Sequence, residues 1–153
     1  MPNGRRLFLA SLLAAAAAPR ASAQGNAVGA SLLQFEEAVT WEAVSADWRG
    51  LRPGWMQQAR AATSPQDLAA LMVLLETNMG WQAVEPGWRG RRDPWIAEAR
   101  AARSEADVAR LLLELEEATL WSAVDGSWRA ARPGWVARLR AISDGGGGVP
   151  SRK

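Results

Sequence analysis

The chain has 153 residues, 48% of them hydrophobic and 22% charged, a composition that folds rather than stays disordered and that can enclose one sizeable core. It contains no cysteine and no histidine. This removes disulfides and thiolate nucleophiles, and with them the commonest general base and metal ligand. The pI near 10.3 suggests a nucleic-acid partner, but Arg5, Arg6 and Arg20 lie in an N-terminal leader. That leaves 15 of the 18 basic residues against 16 acidic ones, a formal charge near −1, and no nucleic acid is expected.

Residues 1–23 read as an export signal. Two arginines precede an apolar run over 7–18, too short for the roughly 20 residues of a membrane span. Ala21-Ser22-Ala23 then supplies a small-residue cleavage site before Gln24. The run Arg5-Arg6-Leu7-Phe8-Leu9 resembles the twin-arginine translocation motif, with Gly4 and Ala10 departing from its flanking positions. The resemblance implies a bacterial protein exported already folded to the periplasm or beyond, touching the membrane only through its signal. An ordinary secretory peptide is the alternative.

Residues 24–143 repeat three times with a period of 40, as 24–63, 64–103 and 104–143. All nine tryptophans belong to the pattern: Trp41, Trp48 and Trp55, then Trp81, Trp88 and Trp95, then Trp121, Trp128 and Trp135. Each copy also keeps one glutamate (Glu36, Glu76, Glu116) and three arginines. The arginines are Arg49, Arg52 and Arg60, then Arg89, Arg92 and Arg100, then Arg129, Arg132 and Arg140.

Each copy predicts a long helix, a corner and a shorter helix. In the first copy Val28, Ser31, Leu32, Phe35 and Val39 form an irregular apolar stripe, as a terminal unit tolerates. In the second, Ser64 is a candidate N-cap with Pro65 at the first helical position. Leu68, Leu71, Met72, Leu75 and Met79 then follow at helical spacing. Ser104 and Asp107 repeat the cap in the third copy. Corners fall at Ser45-Ala46-Asp47, Glu85-Pro86-Gly87 and Asp125-Gly126-Ser127. Because Pro53, Pro94 and Pro133 cannot sit deep in a helix, the first short helix is expected from about Arg52 to Ala62. Residues 144–153 are expected to be a flexible tail. The fold class is therefore all-α: three tandem helical hairpins, stacked as a short solenoid or closed into a compact bundle.

Placement in every copy makes Trp41, Trp48 and their equivalents expected core. Trp55, Trp95 and Trp135, beside prolines, are expected to be partly exposed. The arginines are expected to stack on tryptophan or pair with the glutamates, Arg52 or Arg60 being the partner of Glu36. An anion-binding stripe is the alternative reading. The missing residue types predict no catalytic residue, no cofactor and no metal, with a hydrolase built on Glu116 or Glu117 as the residual enzyme hypothesis.

The run Leu112-Leu113-Glu114-Leu115-Glu116-Glu117, followed by Trp128, Arg132, Trp135 and an Arg-Ala pair, is similar to the helical motif of the WHIM region of chromatin-remodelling subunits. In that family the motif helps form a partner- and linker-DNA-binding surface. With an export signal and a mature charge near −1, only a compact helical interaction module is carried over. The expected function is a non-enzymatic interaction or scaffold module with an unknown protein partner. The alternative is a binding module for a glycan or anionic lipid that uses exposed Trp and Arg.

Overall fold

The computed structural model describes residues 19–146, with side chains over 27–145. Six helices appear: α1 (Pro19–Ala38), α2 (Trp48–Ala61), α3 (Pro65–Asn78), α4 (Trp88–Ala101), α5 (Glu105–Ala118) and α6 (Trp128–Gly146). Among the described residues there is no strand beyond three isolated bridges, and the chain is all-α.

Helix starts follow the sequence. The Ser64 hydroxyl accepts the Asp67 N–H at 3.1 Å, and Pro65 sits where a missing N–H costs nothing. In the third copy the box is complete. Ser104 Oγ accepts from the Asp107 N–H, and Asp107 Oδ2 accepts the N–H groups of Ser104 and Arg103. The Arg103 N–H is the main reason the Asp107 carboxyl is held below the usual carboxylate range.

The short helices begin four residues earlier than expected, at Trp48, Trp88 and Trp128, and contain their prolines. The reason is placement. Pro53, Pro94 and Pro133 are exposed, and so are Arg49, Gly90 and Arg129, whose carbonyls lose a helical donor and turn to water instead. Residues 144–146 of the expected tail belong to α6, which continues to Gly146, and the rest of that tail lies outside the described residues.

Each long helix ends in an extended pair, followed by one turn of 3-10 helix at Trp41–Ala43, Trp81–Ala83 or Trp121–Ala123. These turns join the copies. Val44 bridges Met79, Val84 bridges Thr119, and Val124 bridges Val39, so the third junction returns to the first copy. At that closing junction the Thr40 N–H donates to the Ala123 carbonyl at 2.9 Å and the Asp125 N–H to the Ala38 carbonyl at 2.8 Å. The other two junctions carry the same pair of bonds, for example Gly80 N–H to the Ala43 carbonyl. The array is therefore closed about a pseudo-threefold axis. Ala43, Ala83 and Ala123 meet on that axis, which explains why this position is alanine in every copy: three larger side chains would collide there.

Helices α1, α3 and α5 touch one another as an inner bundle. Outside it, α2 bridges α1 and α3, α4 bridges α3 and α5, and α6 bridges α5 and α1. Leu32, Leu68, Met72, Leu75, Leu111, Leu112 and Leu115 fill the centre with no exposure. Phe35 packs between Trp128 and Trp135, with ring centroids 6.1 and 5.9 Å away, across the closing interface.

Candidate functional site

Position within the closed ring sorts the tryptophans differently from the sequence reading. Trp55, Trp95 and Trp135 are buried to 2%, 2% and 0% exposure, not partly exposed. The prolines beside them are exposed to solvent, while the third tryptophan lies on the inner side of the helix with Trp48 and Ala59 or their equivalents. Each third indole also ties its copy to the next one. Trp55 donates to the Leu71 carbonyl at 2.8 Å, Trp95 to Leu111 at 3.0 Å and Trp135 to Ser31 at 2.9 Å.

The second tryptophan is core, as expected. Trp48, Trp88 and Trp128 each meet the third ring of the copy edge-to-face at 5.2–5.3 Å. Their indole N–H groups donate to Glu36, Glu76 and Glu116, at 2.8, 2.9 and 2.9 Å. The glutamates, each 4% exposed, also accept from Arg52, Arg92 and Arg132 at 2.7–3.0 Å. Arg52 is thus the partner of Glu36, and Arg60 is not. The hydrogen bond to the carboxylate is the first cause of the raised pKa of Arg52, and likewise of Arg132 through Glu116.

This Glu–Trp–Arg triad is self-satisfied three times over. Among the described residues no buried side-chain polar atom lacks a partner, and no three acidic groups converge as a metal site would need. Glu116 accepts from Trp128 and Arg132 with its two oxygens, and Glu117 is exposed.

The first tryptophan is the one outside. Trp41, Trp81 and Trp121 are 46%, 46% and 49% exposed, against the expectation that they would be core. They stand on the 3-10 turns at the end of the inner bundle, where alanine, not tryptophan, fills the axis. An arginine covers each ring: Arg49 at 4.7 Å, Arg89 at 4.7 Å and Arg129 at 4.4 Å from the centroid. Arg52 also reaches Trp41 at 5.7 Å.

None of Arg49, Arg89 and Arg129 belongs to an ion pair of the described residues. Each is the second residue of its helix, where the macrodipole disfavours a cation. Packing does not call for them, yet all three copies carry them. Arg60, Arg100 and Arg140 are exposed as well, the first two in the last turn of α2 and α4, where the dipole favours them.

One signal for the exposed ring was present in the chain. Trp41 is flanked by residues that change freely between copies, Thr40, Gly80 and Leu120 before it and Glu42, Gln82 and Ser122 after. The third tryptophan is followed by Met56, Ile96 or Val136, apolar every time.

Iodide should therefore quench only the red-emitting part of the native fluorescence, that of three indoles among the nine. Replacing Trp41, Trp81 and Trp121 by Phe should remove the quenchable component. Equal protection of all nine rings would contradict this arrangement.

The signal residues Arg5, Arg6, Phe8 and Leu9 lie outside the described residues, and Ala21 and Ala23 are described only as backbone of α1. A family model described as a domain of unknown function (DUF8799) matches the chain twice, over residues 26–80 and 70–120. The matches end one repeat apart. No curated protein and no solved structure matches the chain.

Proposed function

We infer the role of this chain, which belongs to the DUF8799 family, from the chemistry it leaves exposed: it is an exported, non-enzymatic helical interaction module. The observation that carries this reading is the set of three Trp–Arg pairs held outside the packing at one end of the bundle. Buried Trp and Glu serve the fold; these pairs keep about half of each ring in solvent. Amphipathic rings and unpaired guanidiniums are the residue types on which binding surfaces concentrate their energy. The likeness to the WHIM motif supports the same class of compact interaction unit.

Export rests on the twin-arginine-like leader. The expected cut between Ala23 and Gln24 falls within α1, ahead of Val28, where the described core begins, so processing leaves that core whole. The bundle folds from one chain with no disulfide, which suits a pathway that carries folded cargo to the periplasm. A hydrolase using Glu116 or Glu117 remains the lesser reading, and the full engagement of Glu116 weighs against it.

The test immobilises the full chain and passes bacterial envelope extract over it, beside a Trp41→Ala/Trp81→Ala/Trp121→Ala variant of unchanged circular dichroism. A component, protein or polymer, retained by the parent and lost by the variant is the expected result. Identical retention by both, or none by either, overturns the reading.

A further inference from the structure

We propose that the turn end of the bundle is a trivalent carbohydrate-binding face, whose ligand is a polysaccharide of repeating sugar units bearing carboxylate or N-acetyl groups. This rests on the interaction-module reading above and names the partner of that same surface. Three observations carry it.

The first is the make-up of each station. Trp41, Trp81 and Trp121 are half-exposed, and a stacked guanidinium keeps each ring in place before anything binds. A sugar presents an apolar C–H face and a rim of hydroxyls. The indole fits the first, and the unpaired N–H groups of Arg49, Arg89 and Arg129 fit oxygens of the second, carboxylates above all. Because the platform is already ordered, little conformational freedom is lost on binding.

The second is the mixture of signs around the stations. Glu42 and Asp47 in the first copy and Asp125 in the third are exposed on the same connecting segments. Hydroxyl groups need acceptors as well as donors, and these carboxylates supply them. A bilayer of anionic lipid, by contrast, would be repelled by the acidic residues as much as it is drawn by the arginines.

The third is the repetition. Pseudo-threefold closure sets three Trp–Arg stations around one axis. Three Trp–Arg stations of the same make match a ligand that offers the same unit again and again, whereas the surface of a single globular protein does not. Weak stations joined in this way gain affinity through effective concentration, which gives a reason for three near-copies in one chain.

The experiment titrates the full chain with soluble glycan strands of peptidoglycan, with N-acetylglucosamine as a single sugar, and with phosphatidylglycerol vesicles. Tryptophan emission and its iodide quenching are the readout. Glycan strands are expected to bind and to shield the exposed indoles. The single sugar, which can occupy only one station, should bind about 100-fold more weakly or worse.

Single replacements Trp41→Ala, Trp81→Ala or Trp121→Ala should each lower the affinity for strands about tenfold or more, and the triple variant should lose it. Its circular dichroism and unfolding midpoint should stay near the parent's. Arg49→Gln/Arg89→Gln/Arg129→Gln is the second variant, with the same expected loss and all nine rings retained. Strand binding that survives both variants overturns the proposal, as does a single sugar that binds as tightly as the strands. Binding to vesicles but not strands assigns the face to a membrane instead. If no strand binds while the alanine variant still loses the retained envelope component, the carbohydrate assignment falls and the interaction reading stands.

Discussion

Replacing Glu76 by alanine should cost about 3–5 kcal/mol of folding stability, a large part of the roughly 5–15 kcal/mol that such a domain has in total. The carboxylate is 4% exposed and accepts from Trp88 at 2.9 Å and from Arg92 at 2.8 and 2.9 Å. Without it the Trp88 indole N–H is buried with no acceptor and Arg92 loses its counter-ion. The loss is that of stranding two donors, not the net value of the pair. Arg92 keeps a quarter of its side chain in water and can rehydrate, which places the expected loss toward the lower end of the range. Glu76→Leu combined with Arg92→Met should therefore be less destabilised than either Glu76 variant alone, because the double replacement removes the charge together with its partner. Urea midpoints of the parent, the two single variants and the double variant decide this. A Glu76→Ala midpoint within error of the parent's would mean that the triad carries no stability.

The same triad shows how far the chain could be read in advance. Its members recur at 12 and 16 residues from the glutamate, and that recurrence alone identified them as structural. The caps at Ser64 and Ser104 and the corners before Trp48, Trp88 and Trp128 were equally legible, because they depend on neighbours a few residues away. Three features were not. The prolines look the same in sequence whichever side of a helix they take, and only the packing of α2 between α1 and α3 puts Pro53 on the wet side. Trp41 and Trp55 share a period and a residue type. What separates them is that one tops a turn whose axis is filled by Ala43, while the other donates to a carbonyl of the next copy. Closure was hidden for a related reason: the same contact between neighbouring copies serves an open stack and a closed ring. The angle between copies decides, and here three small residues on the axis allow the turns to come together.

Closure also predicts how the chain should fail. In an open stack, stability is close to a sum over copies and their neighbour contacts, so losing the last copy would leave a shorter but folded array. In this ring a chain ending at residue 103 loses α5 and α6 and with them two of the three interfaces. Trp95 loses the Leu111 carbonyl, Ser31 loses the donor Trp135, Phe35 is bared, and the inner bundle is reduced to α1 and α3. Four helices whose two inner members have an open apolar side cannot offset the entropy of ordering them, and the truncated chain should show no cooperative unfolding transition. The complementary chain starts at Ser64, runs to Ser143, continues directly into Gln24 and ends at Thr63. It breaks one connection between copies and makes the third by a link equivalent to the one it breaks. All three interfaces survive, and its unfolding free energy in urea should lie within about 1 kcal/mol of the parent's, the scale of a change in loop closure. A truncated chain that unfolds cooperatively, beside a permuted chain that does not fold, would mean that the copies stand in an open row and that the contacts between Val124 and Val39 contribute little.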